Sequence, residues 1–244
     1  LAAEDLFALD QLHGRGVTAT ADHVAHAGIK PGMHMLEIGC GVGGASRYLV
    51  ANIDCRITAI DLTEEYVEAA RSLAERCGLD ARIEYRQANA LSLPFAEASF
   101  DHVWCHNVTM NIADKTGLAR EIHRMLKPGG RYSCAEINLG PSGAPFFPLP
   151  WAVDASSSFL VTPGEMKSAL QAGGLRVVEN IDLTEANLGF GRDMKARADR
   201  GEPPRQTNHV VMGDAFIERV QNSAKCVVGG HLVENLIIAE KPPG

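Results

Sequence analysis

A glycine-rich turn that directly follows a short apolar run is the feature that most constrains the fold. Residues 34–38 are predicted to form a β-strand, and the turn after them contains Gly39, Gly41, Gly43 and Gly44. Glycine lets the backbone turn sharply and approach a ligand closely because it has no Cβ. The spacing also satisfies G-x-G-x-x-G, which occurs in dinucleotide-binding βαβ units. The turn therefore predicts the strand–turn–helix unit of an α/β sheet and leaves the ligand open.

Apolar strands and amphipathic helices alternate after this turn. Further strands are predicted at 56–60, 82–87, 100–105, 131–137, 175–182 and 232–239, and helices at 45–51, 63–77 and 118–126. Thr63 is expected to cap the second of these helices. Repeated β-α alternation with short connections favours a parallel, doubly wound sheet. The predicted fold class is therefore α/β, a Rossmann-like and mostly parallel sheet with helices on both faces.

The regular alternation breaks after the fifth strand. Residues 139–151 contain four prolines and three aromatic residues, a composition that argues against a central strand. Residues 185–225 are polar and helix-like. We expect residues 1–30, 139–160 and 185–225 to form a cap over the carboxyl edge of the sheet, within one domain that spans the whole chain.

Charge and cysteine content narrow the function classes. The formal net charge is −7 and there is no Lys/Arg run, which disfavours nucleic acid and anionic membranes as partners. None of the six cysteines has C-x-x-C spacing, so no metal site is expected. We find no signal peptide or apolar stretch of spanning length and expect a cytoplasmic protein. The first residue is Leu1, so whether residues precede it is open, as is homo-oligomer formation.

Polar side chains follow the first three predicted strands. Glu37 precedes the glycine turn, where a carboxylate suits a cationic amino-acid ligand and would repel a pyrophosphate. Asp61 comes directly after the second strand, placed either to accept hydrogen bonds from a ribose or to cap the next helix. Asn89 and Ala90 follow the third strand, where an amide can bind the amino edge of adenine. Together these residues favour a ligand with ammonium, ribose and adenine groups over a dinucleotide.

With these residues in place, the chain resembles the class I S-adenosylmethionine-dependent methyltransferases over most of its length. The resemblance implies S-adenosylmethionine as cofactor without a metal, and a seven-stranded sheet whose last strand is antiparallel. Many relatives have Asp where this chain has Asn89. The residues that the resemblance assigns to the cofactor are Gln11, Glu37, Gly39, Cys40, Gly41, Gly43, Asp61, Leu62, Asn89, Ala90, Cys105, His106 and Asn107.

The N-terminal segment 10–16 resembles the entry segment of a narrower branch, which contains the sarcosine/dimethylglycine N-methyltransferases. This implies a small-molecule acceptor, preferably an amine, with O- or C-methylation as the alternative. His13 and His106 are the candidate catalytic residues. Many relatives have a histidine where this chain has Asn111. The residues expected to contact the acceptor are His13, Met110, Asn111, Phe146, Trp151, Phe159 and His209.

Two other function classes remain open at this point. An NAD-dependent oxidoreductase is disfavoured by Glu37, and a cofactor-binding protein without catalysis is disfavoured by the intact glycine turn and Asp61. Three arginines in the second cap segment are candidates for binding an acceptor carboxylate or, alternatively, are solvated helix charges. They are Arg192, Arg197 and Arg205.

Overall fold

The computed structural model describes residues 1–203, 207–213 and 215–243, and within these residues seven strands form one mixed sheet in the order β3-β2-β1-β4-β5-β7-β6. The first five strands are mutually parallel, and β7 is antiparallel to both of its neighbours. The predicted fold class, including the antiparallel last strand, is confirmed. The strands are β1 His34–Ile38, β2 Arg56–Asp61, β3 Ile83–Gln87, β4 Phe100–His106, β5 Leu126–Leu139, β6 Arg176–Asp182 and β7 Leu232–Glu240.

Helices cover both faces of the sheet and its carboxyl edge. The α-helices are α1 Phe7–Asp10, α2 Val17–Ala27, α3 Gly44–Asn52, α4 Glu64–Arg76, α5 Lys115–Met125, α6 Pro163–Ala172, α7 Thr184–Asp199, α8 His209–Met212 and α9 Ala215–Val228. Single 3-10 turns occur at Ala3–Leu6, Asp80–Arg82, Thr109–Asn111 and Ala155–Ser157. None of the helices in the described ranges is both long and apolar enough to cross a membrane.

Helix starts show where local sequence decides the structure. Before α6, Thr162 and Glu165 form a capping box in which each side chain accepts a hydrogen bond from the other residue's backbone N–H. Thr63 is the N-cap residue of α4, as predicted, but its side chain makes no capping hydrogen bond. Instead the Thr63 N–H donates to Asp61 Oδ1 at 2.9 Å, so the preceding carboxylate organises this turn.

Both faces of the central strands are buried, which explains their near-continuous apolar sequences, whereas the edge strands β3 and β6 are largely exposed. Successive residues of β1 point to opposite sides, so Met35 packs with the helices α3 and α4 while Leu36 packs with α5 and α6. Strand β5 starts earlier than predicted, at Leu126, because Leu126 pairs with Phe100 before the register shifts. The turn predicted at residues 127–130 therefore lies inside β5, where it causes the shift in pairing with β4, rather than before the strand.

Candidate active site

A cavity of about 1120 Å³ lies at the carboxyl edge of the parallel strands. Its floor is formed by the ends of β1, β2 and β4, and its other walls by the N-terminal segment 10–14, Pro150, Trp151 and the helices α7, α8 and α9. A pocket for one drug-sized ligand measures roughly 300–1,000 Å³. The cavity is slightly larger than this range, and all three predicted cap segments contribute to its walls.

The glycine turn is built by positions at which a side chain does not fit. Gly39, Gly41 and Gly43 have φ angles of +73°, +51° and +80°, a region that L-residues rarely adopt. A Cβ at Gly39 would overlap the Val108 side chain, and one at Gly44 would overlap the backbone carbonyl of Asp10. The turn is thus packed tightly between the loop after β4 and the N-terminal segment, with Gly39 and Gly41 facing the cavity.

Glu37 places a buried carboxyl group on the cavity wall. Its side chain accepts a hydrogen bond from Ser46 Oγ. Burial raises the pKa of Glu37 to about 7, although the Ser46 hydrogen bond and the Arg47 charge act in the opposite direction. Arg47 itself pairs with Asp10 at 2.6 Å. No cationic side chain among the described residues lies within ion-pair distance of Glu37, so a cationic ligand would stabilise its charged form.

Asp61 is held rigidly at the end of β2. Its Oδ2 accepts from the Gly41 N–H at 2.9 Å, and its Oδ1 accepts from the Thr63 N–H. Each carboxylate oxygen has a second lone pair for a ligand hydroxyl. Leu62, which is 70% exposed, lines the cavity beside Asp61. Asn89 also lines it and accepts the Leu91 N–H at 2.9 Å through Oδ1.

Two stacked histidines line the cavity. The ring of His13, from the N-terminal segment, lies 3.7 Å from the ring of His106 at the end of β4, with 6° between their planes. Burial lowers the pKa of His13 to about 4 and that of His106 well below its usual value. Both rings are therefore neutral near pH 7. The His106 nitrogens are buried and have no hydrogen-bond partner among the described residues.

The loop after β4 is held between two buried charges. The Glu136 carboxylate accepts from the N–H groups of Val108 and Thr109 at 3.1–3.2 Å. From the other side, Lys115 Nζ donates to the carbonyls of Thr109 at 2.7 Å, of Phe159 at 2.6 Å and of Ile112. This loop supplies residues 107, 108 and 110–112 to the cavity wall. Neither charge was singled out from the sequence, where no local spacing links them.

Eleven of the thirteen residues assigned to the cofactor line the cavity, and Gly43 and Cys105 do not. A Cβ at Gly43 would overlap Tyr85 Oη, so this glycine allows close packing instead. The Cys105 side chain is fully buried and donates its S–H to Glu136 at 3.3 Å. These two residues therefore support the site from behind rather than facing it.

Of the residues expected at the acceptor, His13, Met110, Asn111 and Trp151 line the cavity, and three others lie outside it. Phe146 packs edge-on against His231, with ring centroids 4.8 Å apart. Phe159 is 39% exposed. Its backbone N–H donates to the Met110 carbonyl, and its carbonyl accepts from Lys115 Nζ. In α8, Asn208 at the cap and Met212 face the cavity, which leaves His209 on another face.

The three arginines proposed for an acceptor carboxylate differ in position. Arg192 lines the cavity but pairs with Glu185 at 2.5 Å. Arg197 pairs with Glu202 at 2.8 Å and does not line it. Arg205 lies outside the described residues.

Several lining residues were not anticipated. The polar ones include Asp10, Tyr66, Asn187, Lys195 and Glu234. One face of α9 is apolar and also lines the cavity, so the description of residues 185–225 as uniformly polar is wrong. The spacing of that apolar face was readable as a helical stripe, and its members are Phe216, Val220, Ala224 and Val227.

Comparison with known proteins matches one part of the cavity and leaves out the rest. The family model described as "Methyltransferase domain" matches residues 36–134, which include the glycine turn, Asp61 and the loop after β4. Residues 36–134 therefore match a methyltransferase domain. The resemblance stated from the sequence is thereby confirmed, while the matched residues leave out the N-terminal segment and α7–α9, which form the other walls of the cavity.

Relatives and solved structures agree on the domain but differ in what they act on. Sterol 24-C-methyltransferase ERG6B of Gibberella zeae is 35% identical over 131 residues, 53% of this chain and 34% of the relative, so this chain spans about a third of that protein. Geranyl diphosphate methyltransferase in complex with S-adenosylmethionine aligns with a TM-score of 0.73 at 22% identity, covering 92% of this chain and 84% of that one. A putative sarcosine dimethylglycine methyltransferase from Galdieria sulphuraria aligns with a TM-score of 0.71 at 17% identity, with the same two coverages. At such identities the structures show a shared fold alone.

Proposed function

We propose that this protein transfers a methyl group from S-adenosylmethionine to a small-molecule acceptor. The observation that carries the proposal is the arrangement of Glu37, Asp61 and the glycine turn along one half of the cavity. The cationic amino-acid part of the cofactor suits the buried Glu37 carboxylate, and its ribose suits Asp61. Its adenine suits the wall formed by Leu62, Asn89 and Ala90. A dinucleotide pyrophosphate would be repelled by Glu37.

The N-terminal segment contributes by excluding water from this half. Asp10 and Arg47 form a fully buried ion pair at 2.6 Å that ties the segment to α3. Next to this pair, Gln11 Oε1 accepts from Thr20 Oγ1 at 2.6 Å, which fixes the segment to α2. When bound, S-adenosylmethionine supplies an activated sulfonium methyl group. The chain then has mainly to align the acceptor with it in a dry site.

We favour an amine as the acceptor, with a hydroxyl or a carbon as the alternative. The preference rests on the resemblance of segment 10–16 to the sarcosine/dimethylglycine branch. His13 and His106 are the proposed catalytic residues, because they line the cavity as stacked, neutral rings. Met110, Asn111 and Trp151 would contact the acceptor. In the same proposal, residues 1–30, 139–160 and 185–225 form the cap of a single domain.

Calorimetry with S-adenosylmethionine and NAD in separate titrations tests the cofactor assignment. Asp61→Ala should weaken S-adenosylmethionine binding by about 1.5–3 kcal/mol, roughly 10- to 100-fold, the usual range for a hydrogen bond to a charged group. Asp54→Ala is the matched control, since the Asp54 side chain at the other end of β2 is 84% exposed. Binding of NAD alone, or equal affinities of the two variants, would refute the proposal.

A further inference from the structure

A second buried carboxylate lines the cavity away from Glu37 and Asp61. Glu234 lies near the start of β7 and is 3% exposed. Because β7 runs antiparallel to β5, its first residues lie at the carboxyl edge of the parallel strands, where Glu234 pairs with Ile137. The direction of this strand therefore brings to the cavity a residue that is far from the cofactor motifs in sequence.

Helix α7 fixes Glu234 in place. The Glu234 N–H donates to Thr184 Oγ1 at 3.1 Å, and its carbonyl accepts from the Leu183 N–H at 2.8 Å. Its side-chain Oε2 accepts from Asn187 Nδ2 at 2.7 Å. Backbone and carboxylate are both held, so the side chain has a defined position on the cavity wall.

Glu234 shares the Arg15 guanidinium with a second carboxylate. Arg15 Nη2 lies 3.7 Å from Glu234 Oε1, but Arg15 Nη1 makes a closer contact with Asp22 at 2.5 Å. One guanidinium therefore faces two carboxylates. Burial raises the pKa of Glu234 to about 7, while Arg15 and Asn187 act in the opposite direction and Asp22 adds to the rise. The Asp22 side chain is 46% exposed, so solvent screens its charge, whereas Arg15 and Glu234 are both buried. Arg15 stabilises an ionised Glu234 only across 3.7 Å, which leaves part of the cost of burying that charge uncompensated.

The wall next to Glu234 is apolar. Ile137, Trp151, Leu188 and Val227 line the cavity and belong to one packed cluster with Leu232. Ile137 is the cross-strand partner of Glu234, and Leu188 follows the asparagine that bonds to it. Apolar side chains therefore line the cavity beside Glu234 and can pack against an apolar part of a ligand whose polar group reaches this carboxylate.

We infer that Glu234 contacts the methyl acceptor and accepts the proton of its nucleophile, and that the acceptor is an apolar molecule bearing an amine or hydroxyl group. The inference rests on the proposed function and names the substrate class for the same site. A lone pair on the acceptor nitrogen or oxygen forms the bond to the methyl carbon. The sulfur–methyl bond breaks with its electron pair left on sulfur, and the acceptor proton passes to a Glu234 oxygen.

Glu234 suits the proton transfer better than the histidines do. An efficient general base has a pKa close to the working pH. The pKa of Glu234 is raised to about 7, whereas that of His13 is lowered to about 4 and that of His106 lies well below its usual value. The two rings then serve as neutral hydrogen-bonding groups that orient the acceptor.

Glu234→Gln and Glu240→Gln form a matched pair of variants for the test. Glu240 is at the opposite end of the same strand, where it pairs with Arg176 outside the cavity. Each protein is titrated with S-adenosylmethionine and then incubated with labelled S-adenosylmethionine and a panel of apolar amines, alcohols and alkenes. Infrared difference spectra between wild type and Glu234→Gln report the protonation of this carboxyl group without turnover.

We expect Glu234→Gln to bind the cofactor as wild type does but to lose about 10²- to 10⁴-fold in methylation of amines or alcohols. Wild-type kcat/KM should rise with pH and level off above about 7, and the variant should lack this rise. Asn187→Leu provides a second route should Glu234→Gln fail to fold. Loss of its hydrogen bond favours the protonated carboxyl, so the rise should move to higher pH.

Four results would overturn the inference while leaving the proposed function intact. They are full activity of Glu234→Gln, methylation of alkenes alone, a Glu234 infrared band that titrates at the ordinary carboxyl pKa, and cofactor binding without turnover of any amine or alcohol. Failure of the wild-type protein to bind S-adenosylmethionine would instead refute the proposed function. The two failures are therefore distinguishable by the first titration.

Discussion

Replacing Lys115 by methionine should cost about 3–5 kcal/mol of unfolding free energy. Its ammonium group donates to three backbone carbonyls, and the residue is 8% exposed. Hydrogen bonds to a charged group contribute about 1.5–3 kcal/mol each, so three give at most about 9 kcal/mol. Burial lowers the pKa of Lys115, which shows that its charge is partly desolvated. Because methionine carries no charge, the variant no longer has this desolvation cost, which offsets part of the lost hydrogen bonding. The expected net loss is therefore about 3–5 kcal/mol, the range typical of a broken buried charge contact.

Urea denaturation followed by circular dichroism measures this loss, with Lys127→Met as the control. Lys127 pairs with Asp101 at 2.6 Å, but its side chain is 45% exposed. A surface pair of this kind contributes at most about 1 kcal/mol. Calorimetry with S-adenosylhomocysteine adds a second measurement, because the loop that Lys115 holds lines the cavity. Equal unfolding free energies for the two variants would refute the reasoning that this loop is held by its buried lysine.

Two further predictions concern the cofactor half of the cavity. Glu37→Gln should weaken S-adenosylmethionine binding about 10- to 100-fold. Wild-type affinity should increase as the pH rises through about 7, because the ionised carboxylate is the form that a cationic ligand stabilises, and calorimetry of the variant should show no such increase. Gly39→Ala should lower the unfolding free energy by about 2–5 kcal/mol through its positive φ and the overlap with Val108. Gly129→Ala, with φ +75° and nothing within 4 Å, should cost only the backbone strain of about 1–2 kcal/mol, and equal losses in urea would contradict the packing argument.

The cofactor half of the cavity was predictable because its residues are local to the motif strands. Glu37 and Asp61 each come at the end of a parallel strand, and parallel strands all present their carboxyl ends at one edge. Recognising the alternation of strands and helices was therefore enough to bring these side chains together. The glycine turn was predictable for the same reason, because the positive φ angles that it requires are adopted by glycines within a few residues of each other.

The acceptor half was predicted only in part, because several of its polar residues depend on strand order and direction. Glu234 reaches the cavity only because β7 is inserted antiparallel between β5 and β6. Glu136 and Lys115 meet the loop after β4 from a neighbouring strand and a crossover helix. No periodicity within either element indicates these contacts.

The aromatic composition of the proline-rich segment indicated that it lines the cavity, but it did not indicate which side chains face inward. The proline-rich segment does line the cavity, but through Pro150 and Trp151 rather than through Phe146. In an irregular segment no regular period relates neighbouring side chains, so which of them faces inward is decided by packing against α9 and β7. Helix α9 was the opposite case, since its apolar stripe has a regular period and was available to sequence reasoning.

Glu37 and Glu234 are both buried carboxyl groups with a raised pKa, but we propose different roles for them. Burial raises the pKa of both to about 7, so each binds a proton more tightly in the folded than in the unfolded chain, and ionising them lowers stability as pH rises from their ordinary value of 4.5 to about 7. While it is bound, a ligand with a fixed positive charge offsets the cost of ionising Glu37. At Glu234, Arg15 is already shared with Asp22, so the remaining charge is best met by a proton that arrives with each acceptor. The neighbours of each carboxylate, rather than its burial, therefore assign one to binding and the other to proton transfer.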